Sequence, residues 1–125
     1  MYRISIEDKI SSAHQLRGYK GKCENLHGHN WRIILTVKGE KLDNLGMLID
    51  FHDLREILTG ILSEIDHKNI NDVSYFLHIN PTSENIAYYV YHRMRAVIEL
   101  KEIPGIEVDR VRVFETEKSM AEYSE

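Results

Sequence analysis

The sequence predicts one α+β domain in the order ββααββ, an antiparallel sheet with two helices grouped on one face. Apolar and polar residues alternate over Tyr2–Ile10, Trp31–Val37 and Val111–Val113, which is the period of half-buried strands. Between them, apolar residues recur at helical spacing from Phe51 to Ile65 and from Ile86 to Ile98. A chain of 125 residues, 42% hydrophobic, holds one core and is too short for two, so residues 1–125 are read as a single domain.

In the first strand, Tyr2, Ile4, Ile6 and Ile10 share one parity, and Asp8 interrupts their apolar face. If no bulge intervenes, the same parity runs through Ser12 and brings His14 onto the isoleucine side. A buried, hydrogen-bonded histidine would fall there as readily as a ligand. Gln15 to Lys22 reads as a polar loop, with Gly18 and Gly21 as turn formers. It leads to Cys23, the one cysteine, and then to His27-Gly28-His29. A lone cysteine near histidines is a candidate nucleophile or base, against the plainer reading of a small buried hydrophobe.

From Asn30 to Lys38, Trp31, Ile33, Leu35 and Val37 mark a second strand, and His27 and His29 share their odd parity. His14, His27 and His29 therefore converge on the inner face at one end of an antiparallel pair. Three imidazoles with an open fourth position is the arrangement of a catalytic zinc site.

After the connection Gly39–Gly46, Asp50 reads as the N-cap of the first helix, with Asp53 in its first turn and the apolar stripe running to Ile65. The polar run Asp66–Asp72 ends it. Within that run, Asp66-His67 is either a cap and solvated surface or a carboxylate orienting an imidazole for proton transfer. Pro81-Thr82-Ser83-Glu84-Asn85 starts the second helix, and Pro104-Gly105 closes it. The tyrosines at 88, 89 and 91 read as packing or interface residues. A third strand begins at Glu107 and a last one covers Met120–Ser124, joined through Thr116–Ser119. Glu115 falls on the valine face of its strand, where a carboxylate is costly without a partner. It is either an ion-pair partner of a cross-strand arginine or the anchor of a donor-rich ligand.

The net charge of −4 and pI near 6.0 offer no broad basic surface, so neither a nucleic-acid partner nor a membrane is expected. No apolar run approaches the ~20 residues of a membrane span, and the first residues lack the apolar core of a signal peptide. One cysteine fits a reducing compartment, and a cytoplasmic protein is expected. A four-stranded sheet also has edges to protect. Joining subunits into a closed barrel would remove them, so an oligomer is expected.

Taken together, the motifs resemble the family of 6-pyruvoyl-tetrahydropterin synthase and the bacterial 6-carboxy-tetrahydropterin synthase of the queuosine (7-deazaguanine) pathway. The resemblance covers essentially the whole chain and rests on Ala13-His14, the Cys-x-x-Leu-His-Gly-His of residues 23 to 29, Ile49-Asp50-Phe51, Asp66-His67, Pro81–Asn85 and Phe114-Glu115-Thr116. It implies the tunnelling fold, in which trimers close a barrel and two trimers stack into a homohexamer with sites at subunit interfaces. It further implies Zn2+ on His14, His27 and His29, proton transfer by Cys23 with a neighbouring subunit's Asp66 and His67, a pterin ring held by Glu115, and a frame for it at Thr82 and Ser83.

The three residues between Cys23 and His27 are similar to the carboxy-forming enzymes, since the pyruvoyl-forming ones carry a longer loop. The implied reaction is conversion of 7,8-dihydroneopterin triphosphate to 6-carboxy-5,6,7,8-tetrahydropterin, with release of acetaldehyde and triphosphate. Formation of 6-pyruvoyl-tetrahydropterin and cleavage to a 6-hydroxymethyl pterin are the alternatives. Glu24 bears on the last of these, because relatives that cleave the side chain use a glutamate in this loop. A metal- or pterin-binding barrel without turnover is disfavoured by the presence of Cys23 with Asp66-His67, which binding alone does not need.

Overall fold

The structure is a computed structural model and describes residues 1–21 and 24–125. Strands β1 (Tyr2–His14), β2 (His27–Gly39), β3 (Glu107–Thr116) and β4 (Ser119–Ser124) form one antiparallel sheet in the order β1-β2-β3-β4. Helices α1 (Phe51–Leu62) and α2 (Ser83–Leu100) lie in sequence between β2 and β3. Closure of the sheet into a barrel would need further copies of the chain.

The register of β1 on β2 is unbroken along its whole length. Ile4 faces Val37, Ile6 faces Leu35, Ile10 faces Trp31, Ser12 faces His29 and His14 faces His27. Side chains directly opposite in a ladder point to the same face. The alternation that buries Ile6, Ile10, Trp31, Ile33, Leu35 and Val37 therefore carries Ser12 and His14 inward as well. Against this face α1 packs Leu54, Leu58, Ile61 and Leu62, and α2 packs Ile86, Val90, Met94 and Ile98, with Val111 and Val113 of β3 completing the core.

Both helix starts are capped as the sequence predicts. The Asp50 side chain accepts from His52 N at 2.7 Å, and Thr82 Oγ1 accepts from Asn85 N at 3.1 Å. The end of α1 differs, since the helix stops at Leu62 rather than reaching Ile65. Its last turn tightens through i to i+3 bonds, Glu64 N to Ile61 O at 3.1 Å and Ile65 N to Leu62 O at 3.0 Å. Ile65 still reaches the core, and the chain is turned toward the edge of β1. There Asp66 Oδ1 accepts from Ser11 N, His67 N donates to Ser11 O, and Ala13 N donates to Lys68 O, each at 2.9 Å. Two short 3-10 turns, Ile70–Asp72 and Ser74–Phe76, follow and bury Ile70, Asn71 and Phe76.

Of the three tyrosines, Tyr89 and Tyr91 are buried and Tyr88 is exposed. Tyr89 and Arg93 of α2 both hold the Glu64 carboxylate just past α1, with Arg93 Nη2 at 2.5 Å. Burial, reinforced by the Glu64 hydrogen bond, pushes the Tyr89 hydroxyl up to about 12.

Strand β3 carries two bulges. Arg110 pairs with Thr36 while Val108 pairs with Val37, which leaves Asp109 as an extra residue. Its carboxylate is buried and receives Arg110 Nε at 2.8 Å, Arg3 Nε at 3.3 Å and Lys38 Nζ at 3.5 Å. Burial alone would push this carboxyl up, but the hydrogen bonds and charges of Arg110 and Arg3 outweigh it and hold it below its ordinary value. A depressed carboxyl contributes stability above its unfolded pKa and loses it as pH falls through the folded one. Asp109→Asn should therefore destabilise the protein at neutral pH by about 1–2 kcal/mol, the scale of a charged hydrogen bond lost beside cations that can resolvate. In urea unfolding, the gap between parent and variant should begin to narrow as the pH drops below about 4 and should close only below the lower pKa of the folded Asp109 carboxyl.

Candidate metal centre

The three histidines close the open end of the β1–β2 pair. His14 is the last residue of β1 and lies opposite His27, the first of β2, with His29 one pleat further in. Their rings meet edge to face with centroids 4.7–5.1 Å apart. Trp31 forms the floor, its ring 4.8 Å from His14 and 5.1 Å from His29 and its Nε1 donating to Ser12 O at 3.1 Å.

Hydrogen bonds on the far side of two rings determine what the cluster can bind. His14 Nδ1 lies 2.7 Å from Pro81 O, and His27 Nδ1 lies 2.7 Å from Asn25 O. A carbonyl oxygen only accepts, so each Nδ1 carries a proton, and in the neutral form of either ring a bare Nε2 lone pair faces the centre. Those two Nε2 atoms stand 3.1 Å apart. Glu115 Oε1 lies 3.1 Å from His14 Nε2 and 3.1 Å from His29 Nε2. The buried His29 Nε2 has no hydrogen-bond partner among the described residues, since the nearby carboxylate misses the required geometry.

Candidate ligand atoms of three rings and a carboxylate thus lie within 4.8 Å of one another, and in the neutral rings the His14 and His27 Nε2 atoms bring no proton to share. A cation relieves this repulsion. Tetrahedral coordination with bonds of about 2.0–2.1 Å spaces its donors by roughly 3.3–3.4 Å, close to the three contacts of 3.1 Å. The donor set fits, and the His14, His27, His29 and Glu115 cluster can hold a metal ion. Burial, with His14 and His27 acting in the same direction against the opposing Glu115 charge, keeps the His29 imidazole below its ordinary pKa and so in its ligating form.

The profile of the 6-pyruvoyl tetrahydropterin synthase family matches residues 3–125. The chain belongs to this family. A 6-pyruvoyl tetrahydrobiopterin synthase of Homo sapiens is 35% identical over 107 residues, covering 82% of this chain and 70% of the human one. An Archaeoglobus fulgidus protein provisionally named 6-carboxy-5,6,7,8-tetrahydropterin synthase is 38% identical over 119 residues, covering 95% of this chain and 92% of its own. The Caenorhabditis elegans 6-pyruvoyl tetrahydropterin synthase structure superposes with a TM-score of 0.82 at 29% identity, over 100% of this chain and 97% of that one. The architecture described above is the family's, and the protein is a lyase-type enzyme of that family.

Other candidate residues of this family member fall at different distances from the cluster. Asp66 Oδ1 lies 2.9 Å from His67 Nδ1, and His67 adopts a left-handed backbone with φ of 55°. The His67 side chain is 80% exposed. It lines a shallow surface groove with Gly28, His29 and Asn69, but no hydrogen bond or ion pair joins the pair to the three imidazoles among the described residues. Thr82 caps α2 and Ser83 is its first residue, so both adjoin the Pro81 carbonyl that orients His14. Cys23 lies outside the described residues. Its neighbour Glu24 is turned back to the loop stem, where its N donates to Leu16 O at 2.9 Å and its Oε1 accepts from Leu16 N at 3.3 Å. The same Oε1 is 3.8 Å from His27 Nδ1.

The sequence reading missed the orienting carbonyls of Pro81 and Asn25 and the entry of Glu115 into the donor set. The carbonyls carry no side-chain signature. For Glu115 the valine-face parity was the available signal.

Replacing His29 by Ala should reduce bound metal from about one ion per chain to a small fraction of that, measured by elemental analysis after dialysis. The circular dichroism spectrum should be unchanged, because the core is supplied by the strands and helices.

Proposed function

We propose that this chain is a zinc-dependent lyase that converts 7,8-dihydroneopterin triphosphate to 6-carboxy-5,6,7,8-tetrahydropterin, releasing acetaldehyde and triphosphate, as a step of queuosine biosynthesis. The observation that carries the reading is the set of imidazoles whose Nδ1 protons are held by Pro81 O and Asn25 O, leaving lone pairs aimed at one point in a chain of this family. The name of the Archaeoglobus fulgidus relative and the three-residue spacer after Cys23 both favour the carboxy product over the pyruvoyl one. The mildly acidic composition and single cysteine support a cytoplasmic enzyme acting on a small molecule, and no helix is long and apolar enough to cross a membrane.

His14, His27 and His29 would hold zinc, which would supply Lewis-acid polarisation of the substrate's side-chain hydroxyls and so make the adjacent carbon-bound protons easier to remove. Cys23, as thiolate, takes such a proton, and His67 passes protons while Asp66 fixes its Nδ1 side at 2.9 Å. Glu115 accepts from the amino and ring N–H groups of the pterin, a bidentate and charge-assisted pairing. Thr82 and Ser83 frame the ring at the start of α2. Lys20, Lys22 and Lys68 are candidates for the triphosphate, Lys22 lying outside the described residues.

No hydrogen bond or ion pair joins Asp66-His67 to the imidazoles of its own chain among the described residues, which supports sites shared between subunits of a homohexamer. Cys23→Ala and His67→Ala proteins, each inactive alone, should regain activity when dissociated together and reassociated. An active, strictly monomeric species in sedimentation would count against shared sites.

Product analysis by mass tests the reaction itself. Cys23→Ala should retain metal and yield little or no carboxy product, while Glu24→Gln should stay close to the parent, because its carboxylate is engaged at the loop stem. A parent enzyme yielding mainly 6-hydroxymethyl-dihydropterin, with Glu24→Gln abolishing it, would replace this proposal with the cleavage reaction.

A further inference from the structure

The pterin-anchoring role proposed for Glu115 requires its carboxylate to face a ring, yet the structure places Oε1 at 3.1 Å from both His14 Nε2 and His29 Nε2, inside the donor set. Three features bear on this double placement. With Glu115 included, the centre has four protein donors, whereas a metal that works on a substrate keeps one position open. His14 and His27 are anchored through Nδ1, but no N–H or O–H group among the described residues donates to the Glu115 carboxylate. Glu115 is also the extra residue of the second β3 bulge, since Phe114 pairs with Met120 and Thr116 with Ser119. A bulged residue has no cross-strand partner to lock its side-chain direction, and bulges near active sites re-aim side chains.

We propose that Glu115 is an exchangeable ligand: its carboxylate closes the fourth position beside His14, His27 and His29 until the amino and ring N–H edge of a pterin draws it away. This rests on the pterin reading above and adds an order of events to it. Two charge-assisted hydrogen bonds to the ring replace the ligation that is lost, so leaving the cluster does not strand the carboxylate. The vacated position then faces the hydroxylated side chain of the same substrate. Molecules that lack the donor edge leave the fourth position closed.

Cobalt(II) reports this directly, because its visible absorption is stronger with four ligands than with more and shifts when a ligand changes. The cobalt-loaded parent is compared with Glu115→Gln, each with and without unsubstituted pterin, which offers the ring edge but no side-chain hydroxyl to reach the metal. Binding of pterin is followed separately by its own fluorescence. The parent spectrum should shift on pterin binding. Glu115→Gln should differ from the parent before any pterin is added, release cobalt to a chelator at least about tenfold more readily, and show no further shift with pterin.

Pterin bound to the parent with an unmoved spectrum overturns the exchange and leaves the pterin reading standing. Identical spectra for parent and Glu115→Gln without pterin overturn it as well. A parent that binds no pterin, but whose spectrum differs from the variant's, overturns the pterin reading and the exchange together and makes Glu115 a permanent ligand. Glu115→Asp, one methylene shorter, keeps the comparison available should the amide disturb folding. It should give a spectrum between the other two.

Discussion

A carbonyl oxygen can accept a proton but never supply one, and at Pro81 and Asn25 this asymmetry determines the character of the whole site. It puts the protons of His14 and His27 on the outer side of their rings and turns two lone pairs toward each other at 3.1 Å. Without a cation that contact is repulsive, and a buried repulsion is tolerated only where something else fixes the groups in place. Here the fixing is done by the β1–β2 ladder, by the Trp31 floor and by the two carbonyls. The pairing resembles a metal ligand held by an outer-shell acceptor, in which the second hydrogen bond sets tautomer and ring direction together.

The ladder matters because a slip of one residue between β1 and β2 would send His14 to the solvent face while leaving His27 and His29 inside. Register is held by burial along the rest of the pair. Ile6, opposite Leu35, and Ile10, opposite Trp31, would be turned outward together with His14 by the same slip, at roughly 1.5–3 kcal/mol for each large apolar side chain exposed. The core thereby supplies the accuracy of the metal centre, which it meets through the Trp31 ring. The tightened turn after α1 adds to this from the other side, because Ser11 and Ala13 of β1 bond to the segment 66–68.

This division explains what could be read from residues alone. Period-two parity is legible wherever a strand is unbroken, and β1 is unbroken from Tyr2 to His14, so the convergence of three histidines was visible in advance. The capped starts of α1 and α2 were visible for a similar reason, since a capping side chain lies next in sequence to the amides it serves. The end of α1 was not, because Ile65 keeps its burial in a 3-10 turn as well as in a helix, and the apolar pattern cannot tell the two apart. Nor were Pro81 O and Asn25 O, which are backbone atoms with no residue-type signature, or the two β3 bulges, which depend on pairing partners far away in sequence.

Those two bulges place carboxylates in opposite circumstances. Asp109 is the extra residue of the first, and Arg110, Arg3 and Lys38 surround it with cations that leave it no alternative partner. Glu115 is the extra residue of the second, and its ion-pair contacts among the described residues are with the imidazoles of His14 and His29. One strand therefore uses the same backbone irregularity once to fix a charge and once to leave a charge free to change partners. The difference lies in the surroundings: a carboxylate saturated by guanidinium donors has nothing to gain by moving. A carboxylate held beside lone pairs gains from a metal, and gains comparably from the donor edge of a ring. An exchange of that kind costs little only when the two alternatives are close in free energy. The absence of any donor to Glu115 within the described residues is the condition that keeps them close.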